Sequence, residues 1–172
     1  MRVFTIGHGT RPVDELIDLL ARADVETLVD VRRFPASRRN PQFNQAALAR
    51  SLAGARIAYR HAEALGGRRS KEPGAERFAC IRVEAFRSYA ARMGQAEWQR
   101  ALDEALAEPR PCLMCAETLW TRCHRRLISE LLTARGHDVV HLTRRGETEP
   151  HRLLDDSEVR AGCLYVCGEL VA

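Results

Sequence analysis

The sequence contains no long run of apolar residues. The amino-terminal apolar stretch that precedes Gly7 is only a few residues long, whereas the core of a signal peptide needs about 7–15 apolar residues and a bilayer-spanning helix about 20. No later stretch approaches that length. We therefore expect a soluble cytoplasmic protein without a membrane segment. In that compartment its cysteines should stay reduced and form no disulfide framework.

Lysine is almost absent as well. Lysine and arginine together number 27, of which only Lys71 is a lysine, and the formal net charge is +4. The basic residues are clustered, which suits phosphate or nucleic acid but equally an ordinary solvated surface, because acidic residues lie between the clusters. The clusters are Arg32, Arg33, Arg38 and Arg39; Arg68, Arg69 and Lys71; Arg122, Arg125 and Arg126; and Arg144 with Arg145.

Repeats and linkers are also missing, so 172 residues with 45% hydrophobic content predict one domain over residues 1–172. Apolar runs predict strands near residues 2–6, 26–31, 56–61, 111–116 and 138–142. Helical periodicity predicts helices over residues 13–20, 43–53, 83–93, 95–108 and 123–135. The alternation of strands and helices predicts an α/β fold: a mainly parallel open sheet with right-handed crossovers and helices on both faces, in a Rossmann-like three-layer arrangement.

Polar side chains cluster directly after three of the predicted strands. In an open parallel sheet, ligands bind beyond the carboxyl ends of the strands, and every strand-to-helix turn emerges at that same edge. The sequence therefore predicts that these three turns converge on one pocket. The residues concerned are Gly7, His8 and Gly9 after the first strand, Asp30 and Arg32 after the second, and Glu117 to Arg125 after the fourth.

Four segments resemble the successive signatures of the DUF488 family of bacterial and archaeal proteins. They are "TIGHGT", "LVDVRRFPASRRNPQFN", "YRHAEALGG" and "CLMCAETLWTRCHRRLI". The resemblance extends from Val3 to Leu142 and implies a compact α/β fold with a polar site built from these motifs. It implies no particular activity, because the family is defined by an uncharacterised domain. Cys163 and Cys167 lie beyond it and inherit no role from it.

The stretch "PCLMCAETLWTRCHRR", residues 111–126, holds three of the six cysteines. Cys112 and Cys115 have zinc-knuckle spacing, but their segment is apolar and strand-like, and residues three apart in a strand point to opposite faces. Cys112 is therefore predicted to be a buried, inert core residue. A metal site remains an alternative for a different set of residues, namely Cys115, Cys123 and His124 with Cys163 or Cys167 brought from the tail. The sequence identifies no cofactor.

Cys123 is the best candidate for a reactive thiol. It begins a predicted helix and is flanked by cationic residues, and a helix N-terminus and nearby cations both lower the pKa of a thiol. We therefore expect Cys123 to lie closer to solvent and to cations than Cys112. A cysteine-phosphatase loop that begins at Cys115 would need arginine at position 121, whereas Arg122 comes one residue late. The likeness of "LVDVR" to rhodanese domains concerns the fold alone.

An anion is the third ligand class that this pattern suits. A helix beginning near Cys123 offers free N–H groups, Arg125 adds a guanidinium fork, and Arg32 approaches from a neighbouring strand. Glycines such as Gly7 and Gly9 let the backbone approach a ligand closely. Asp30 and Glu117 would hold these arginines or act as a general base, or they would form a buried ion pair at the sheet edge.

The sequence therefore predicts an anion-binding cleft for a nucleotide or nucleic-acid phosphate, with chemistry carried by cysteine and histidine. The alternatives are a nucleic-acid-binding module without catalysis and a Cys/His metal-binding protein. The candidate catalytic residues are Cys123, His124, His8 and Glu117. The candidate ligand-binding residues are Gly7, Gly9, Asp30, Arg32, Cys115 and Arg125.

Overall fold

A computed structural model describes residues 1–67, 71–143 and 146–172 of the chain. Arg68, Arg69, Arg144 and Arg145, which belong to two of the predicted basic clusters, lie outside the described residues. Within the described ranges, no helix has the length and apolar character needed to cross a bilayer.

A six-stranded sheet forms the centre of the fold. Its strands are β1 (Arg2–Gly7), β2 (Thr27–Asp30), β3 (Ala58–His61), β4 (Pro111–Cys115), β5 (Asp138–Leu142) and β6 (Thr148–Pro150). They lie in the order β3-β2-β4-β1-β5-β6, and every pair is parallel except β5 with β6. The five predicted strands and the mainly parallel sheet are therefore confirmed. β4, although fourth in the chain, lies between the first two strands.

Helices cover both faces of the sheet and complete a three-layer α/β fold. They are α1 (Val13–Arg22), α2 (Gln45–Gly54), α3 (Glu84–Met93), α4 (Ala96–Leu106) and α5 (Arg125–Ala134). Because side chains alternate along each strand, the sheet supports two apolar cores. Cys112 and Met114 pack with α1 and α2, whereas Leu113 and Cys115 pack with α3, α4 and α5. Cys112 and Cys115 therefore lie on opposite faces, as their spacing predicts.

A small antiparallel sheet near the carboxyl terminus was not predicted. It consists of β7 (Ser157–Arg160), β8 (Cys163–Val166) and β9 (Glu169–Leu170). Its apolar side chains Leu164 and Val166 join the core beneath α5. The two connecting turns hold two residues each, all with positive φ. Such turns suit hairpins because their twist matches that of the strands, and the glycine that ends each one was a signal in the sequence.

One disulfide contradicts the expectation that all cysteines stay reduced. Cys80 and Cys167 are bonded; they are 87 positions apart in sequence, and their Cα atoms are 5.7 Å apart. The bond forms because the antiparallel sheet folds back over the core, which brings the turn after β8 next to the segment that precedes α3. The remaining cysteines, Cys112, Cys115, Cys123 and Cys163, are free.

Candidate functional site

The turns that follow β1, β2 and β4 meet in one cleft of about 740 Å³. They meet because β4 lies between β1 and β2, so the three strands end side by side. Gly67 and one side of α3 complete the wall. Seven of the ten predicted site residues line this cleft: His8, Gly9, Arg32, Cys115, Glu117, Cys123 and His124.

Backbone hydrogen bonds hold the three turns together beyond the ends of the strands. The N–H of His8 donates to the carbonyl of Cys115 at 3.0 Å, and the N–H of Gly9 donates to Ala116 at 2.9 Å. On the other side of β4, the N–H of Val31 donates to Met114 at 2.9 Å. The positions of the side chains at the mouth of the cleft are therefore fixed by the sheet itself.

Two thiols and an imidazole form the floor of the cleft. Nδ1 of His124 lies 3.7 Å from Sγ of Cys123 and 3.8 Å from Sγ of Cys115. The other ring nitrogen, Nε2, lies 3.1 Å from the carbonyl oxygen of Val31. A carbonyl oxygen can only accept, so Nε2 donates to it, and Nδ1 is the ring nitrogen that faces the two sulfurs. We call Cys115, Cys123 and His124 the floor cluster.

The two sulfurs of the floor cluster differ in their affinity for a proton. Burial disfavours the charged form of Cys123, but a hydrogen bond from Cys115 and the positive charge of His124 and Arg125 outweigh it and hold the pKa of Cys123 well below its usual range. The hydrogen bond with Cys123 and then burial raise the pKa of Cys115. The backbone N–H of Arg125 also points at Sγ of Cys123, 3.5 Å away. The thiolate of the pair therefore belongs on Cys123.

Cys123 is more enclosed than its sequence context suggests. It follows a 3₁₀ turn, Trp120–Arg122, and precedes α5 rather than beginning it. Cys123 is only 2% exposed, against 0% for Cys112. It was expected to lie closer to solvent than Cys112, and the difference between the two is that Cys123 lines the cleft. Burial raises the pKa of Cys112, which packs in the core on the opposite face of the sheet.

Asp30 and Arg32 form a buried ion pair beside the floor cluster. The guanidinium donates to both carboxylate oxygens, at 2.8 and 2.5 Å, and also to the carbonyl of Phe43 at 2.8 Å. Tyr59 donates its hydroxyl proton to the same carboxylate at 2.8 Å. Asp30 is fully buried and lies outside the cleft wall. Of the roles considered for Asp30, the structure shows the ion pair that holds an arginine.

His8 lies in the cleft wall, but both of its ring nitrogens are occupied. Nε2 accepts from Nη1 of Arg32 at 3.2 Å, so Nδ1 carries the proton and donates to the carbonyl of Gly9 at 2.9 Å. The ring also stacks on Phe43, with centroids 4.2 Å apart. Burial, with a smaller contribution from Arg32, lowers the pKa of His8 to about 4. This geometry suits a neutral residue that positions Arg32 better than a proton carrier.

Gly7 and Arg125 support the site from behind instead of contacting a ligand. The Arg125 side chain is 1% exposed and donates to the carbonyl of Glu117 at 2.5 Å and to the hydroxyl of Thr5 at 3.2 Å. A methyl group on Gly7 would lie 2.6 Å from the carbonyl carbon of Glu117 and 2.8 Å from Nη2 of Arg125. Both residues therefore depart from the predicted ligand-binding role, because the turn after β4 folds directly over them.

The rim of the cleft carries charged and aromatic groups that face solvent. Arg39 and Arg122 are exposed, and neither has an ion-pair partner within residues 1–67, 71–143 and 146–172. Phe34 is 62% exposed, with the guanidinium carbon of Arg33 lying 5.0 Å from its ring centre. Glu117 adds an exposed carboxylate. The candidate site residues chosen from the sequence did not include Arg39, Arg122 or Phe34. Arg122 nevertheless lies in a turn that was predicted to converge, and both arginines belong to recognised basic clusters.

A comparison with protein families identifies the chain. The family described as "Domain of unknown function DUF488" matches residues 12–132 of the 172. The chain belongs to this family. The DUF488 match includes the turns after β2 and β4 and all three residues of the floor cluster, but it excludes "TIGHGT" and the antiparallel sheet near the carboxyl terminus. Comparisons with curated proteins and with solved structures find no match.

Proposed function

We propose that the cleft binds an anionic, phosphate-bearing ligand, a nucleotide or a nucleic-acid phosphate. The observation that carries this proposal is the pair of exposed arginines on the rim, Arg39 and Arg122, which lack ionic partners among the described residues. A guanidinium presents a planar fork of donors that matches two oxygens of a phosphate. Arg32 adds positive charge deeper in the wall, although Asp30 already neutralises most of it.

The exposed ring of Phe34 favours a ligand that carries a base as well as a phosphate. An exposed aromatic ring in a cleft, with a guanidinium such as that of Arg33 on one side, is a surface on which a nucleobase can stack. The cleft volume of about 740 Å³ also falls within the range of small-molecule sites, about 300–1,000 Å³. A mononucleotide fits within such a volume.

The floor cluster is the chemically reactive part of the proposed site. Its two sulfurs and one imidazole nitrogen are electron-rich groups against which a ligand held by the rim would lie. Glu117 offers a carboxylate on the same wall for proton transfer. The second candidate function, a binding module without catalysis, is favoured by the fact that both nitrogens of His8 are occupied.

The cytoplasm is the compartment that we propose for this activity, because reducing conditions keep Cys115 and Cys123 as thiols. The Cys80–Cys167 disulfide argues for an oxidising compartment. Alkylation of the protein in intact cells, followed by mass spectrometry of peptides containing Cys80 and Cys167, distinguishes the two. Free thiols at both positions support the cytoplasm, and a bonded pair counts against it.

The binding proposal is tested by titrating the full chain with inorganic phosphate, AMP and a short single-stranded oligonucleotide. Arg39→Ala and Arg122→Ala should each weaken binding by about 10-fold to 100-fold, the effect of losing a charged hydrogen bond. Arg38→Ala is a matched control, because it removes the same charge from the same turn but from a side chain outside the cleft wall. Equal losses in all three variants, or no binding of any probe, would contradict the proposal.

Catalysis and simple binding are separated by a second set of variants. If the floor cluster reacts with the ligand, Cys123→Ala should abolish turnover of a bound probe and leave its dissociation constant almost unchanged. If the protein is a binding module, only the arginine variants should matter. Binding of the oligonucleotide should then fall steeply with salt, because each neutralised phosphate releases counterions.

A further inference from the structure

The floor cluster brings three soft metal-ligating groups to one buried point. We propose that Cys115, Cys123 and His124 bind one thiophilic divalent metal ion, Zn²⁺, and leave its fourth coordination position open to the cleft. The three ligand atoms all lie within 4.8 Å of one another. No other group of three or more histidine, cysteine or acidic residues within the described part of the chain has this arrangement.

The distances between the ligand atoms fit a tetrahedral ion. With Zn–S bonds of about 2.3 Å and a Zn–N bond of about 2.0–2.1 Å, tetrahedral angles place a sulfur and a nitrogen about 3.6 Å apart. The observed separations of Nδ1 of His124 are 3.7 Å from Cys123 and 3.8 Å from Cys115. Both nitrogen–sulfur separations therefore lie within a few tenths of an ångström of the tetrahedral value.

The imidazole is already oriented as a ligand. Its Nε2–H donates to the carbonyl of Val31 at 3.1 Å, which orients the ring so that Nδ1 faces the two sulfurs. Metal-bound histidines usually donate their other ring N–H to such an acceptor. Gly67 keeps the space beside this ring open, because a methyl group at that position would lie 3.0 Å from Nδ1.

The sulfur of Cys123 lies beside the N-terminal end of α5. The backbone N–H of Arg125 points at Sγ of Cys123, and α5 directs its positive N-terminal end toward the same atom. Two sulfurs with one imidazole select zinc over magnesium or calcium, which prefer oxygen ligands. The identity of the proposed ion therefore follows from the ligand atoms, two sulfurs and one nitrogen.

Among residues 1–67, 71–143 and 146–172, no fourth histidine, cysteine or acidic side chain joins the floor cluster. The sequence left open that Cys163 or Cys167 would supply a further ligand. Neither does so in the structure, because Cys167 is bonded to Cys80 and Cys163 does not belong to the cluster. Sites with three protein ligands and one open position are typical of catalytic zinc, whereas structural zinc has four protein ligands. All three ligands line the cleft. In the proposed complex an oxygen of the anionic ligand occupies the fourth coordination position; this one step rests on the proposed function.

The test is the metal content of the full chain, purified, loaded with Zn²⁺ and passed through a desalting column. We expect one Zn²⁺ per chain by elemental analysis, and Co²⁺ in its place should give the intense absorption of a cobalt–thiolate complex. Cys115→Ser, Cys123→Ser and His124→Gln should each weaken Zn²⁺ binding by at least 100-fold in competition with a chromogenic chelator. Circular dichroism checks that each variant is folded.

Two controls distinguish this site from adventitious thiol binding. Cys163→Ser and Cys112→Ala remove free cysteines outside the cluster and should retain one Zn²⁺ per chain. The wild-type measurement needs no variant, so the proposal stays testable even where a substitution prevents folding. A wild-type chain that retains no Zn²⁺, or a Cys163→Ser variant that loses as much as Cys123→Ser, would overturn the proposal.

Failure of the metal site and failure of the anion cleft give different results. Arg39→Ala should lose phosphate affinity while retaining its Zn²⁺, because it lies on the rim and not in the floor cluster. If wild-type protein binds no Zn²⁺ but Arg39→Ala still weakens phosphate binding, the cleft proposal stands and the metal proposal fails. If Zn²⁺ binds and phosphate does not, the metal site stands and only the role of its fourth position fails.

Discussion

Asp30 accepts hydrogen bonds from Arg32 through both of its carboxylate oxygens, 2.8 and 2.5 Å from the guanidinium nitrogens. Asp30 is fully buried and Arg32 is 6% exposed, so the pair belongs to the sheet edge as much as to the cleft. A buried carboxylate needs this cation in order to stay charged. Arg32 is therefore already neutralised, and most of the attraction for an anionic ligand falls to the exposed arginines of the rim.

Removing Arg32 should destabilise the protein rather than only weaken a ligand. Arg32→Ala leaves the Asp30 carboxylate buried with only the Tyr59 hydroxyl and a backbone N–H, which costs about 3–5 kcal/mol of unfolding free energy. Urea denaturation measures the loss. Arg38→Ala, an exposed change in the same turn, should shift the unfolding free energy by less than about 0.5 kcal/mol. Similar small shifts for both variants would show that the ion pair contributes little.

Gly7 should tolerate no side chain. The methyl group of Gly7→Ala would overlap the Glu117 backbone, so the turn over the cleft must move, at a cost of about 1–3 kcal/mol for overpacking. Denaturant unfolding reports that cost, and binding of the phosphate probe should weaken with it. Gly54→Ala is the matched control, since within the described residues no atom beyond its chain neighbours and the backbone of its own helix lies within 4 Å of the added methyl group. In helix α2 it should stabilise the protein by up to about 1 kcal/mol. Equal effects of the two variants would contradict the close packing at Gly7.

A pair of histidines, His141 buried and His151 half-buried, should make the fold sensitive to acid. His141 donates to or accepts from His151 at 3.0 Å and stacks on Trp120, and Arg125 and Arg126 add positive charge nearby. Burial, then His151 and Arg125, lowers the pKa of His141 to about 3. Burial, then Arg126, lowers the pKa of His151 to about 4.

The sign of the effect follows from these lowered values. Above pH 6.5 both histidines are neutral whether the chain is folded or unfolded, and the fold keeps its full stability. As the pH falls from 6.5 toward 4, the unfolded chain binds protons that the folded chain refuses, and each histidine removes up to about 1.4 kcal/mol per pH unit. Urea unfolding at pH 6.5, 5.5 and 4.5 should show a shallower decline for His151→Gln than for wild type. Parallel declines would mean that the pair is not the acid-sensitive element.

Much of the site was predictable from strand order and spacing. Apolar runs marked the five parallel strands, and the turns at their carboxyl ends had to share one edge of the sheet. The opposite faces of Cys112 and Cys115 followed from the period of a strand. In each case a local, repetitive rule of backbone geometry was enough, because the position of a side chain depended only on its own strand.

The parts that escaped prediction depend on contacts between distant segments. The guanidinium of Arg125 is turned inward because Thr5 and the Glu117 carbonyl lie beneath it, and no sequence pattern within α5 indicates that. The disulfide depends on where the antiparallel sheet lands, which brings Cys167 to Cys80. The occupied nitrogens of His8 depend on Arg32 and on the turn that holds Gly9. Spacing along the chain says nothing about such encounters.

Cys123 and Cys112 should differ sharply toward an alkylating reagent. Cys123 lines the cleft, whereas Cys112 is sealed in the opposite core, where burial raises its pKa. The reactivity of a cysteine follows its accessibility and the fraction present as thiolate, and each unit by which the pKa rises lowers that fraction about tenfold. Iodoacetamide should therefore modify Cys123 at least about 10-fold faster than Cys112 in chelator-treated native protein. Mass spectrometry of the two cysteine-containing peptides measures both rates, and Cys112→Ala should leave the Cys123 rate unchanged.

Phosphate should slow the modification of Cys123 by covering the cleft. Zn²⁺ should slow it by binding the sulfur, and a chelator should then restore the original rate. Equally slow modification of both cysteines would mean that the cleft admits no reagent to its floor, and Cys123 would then be a packing residue.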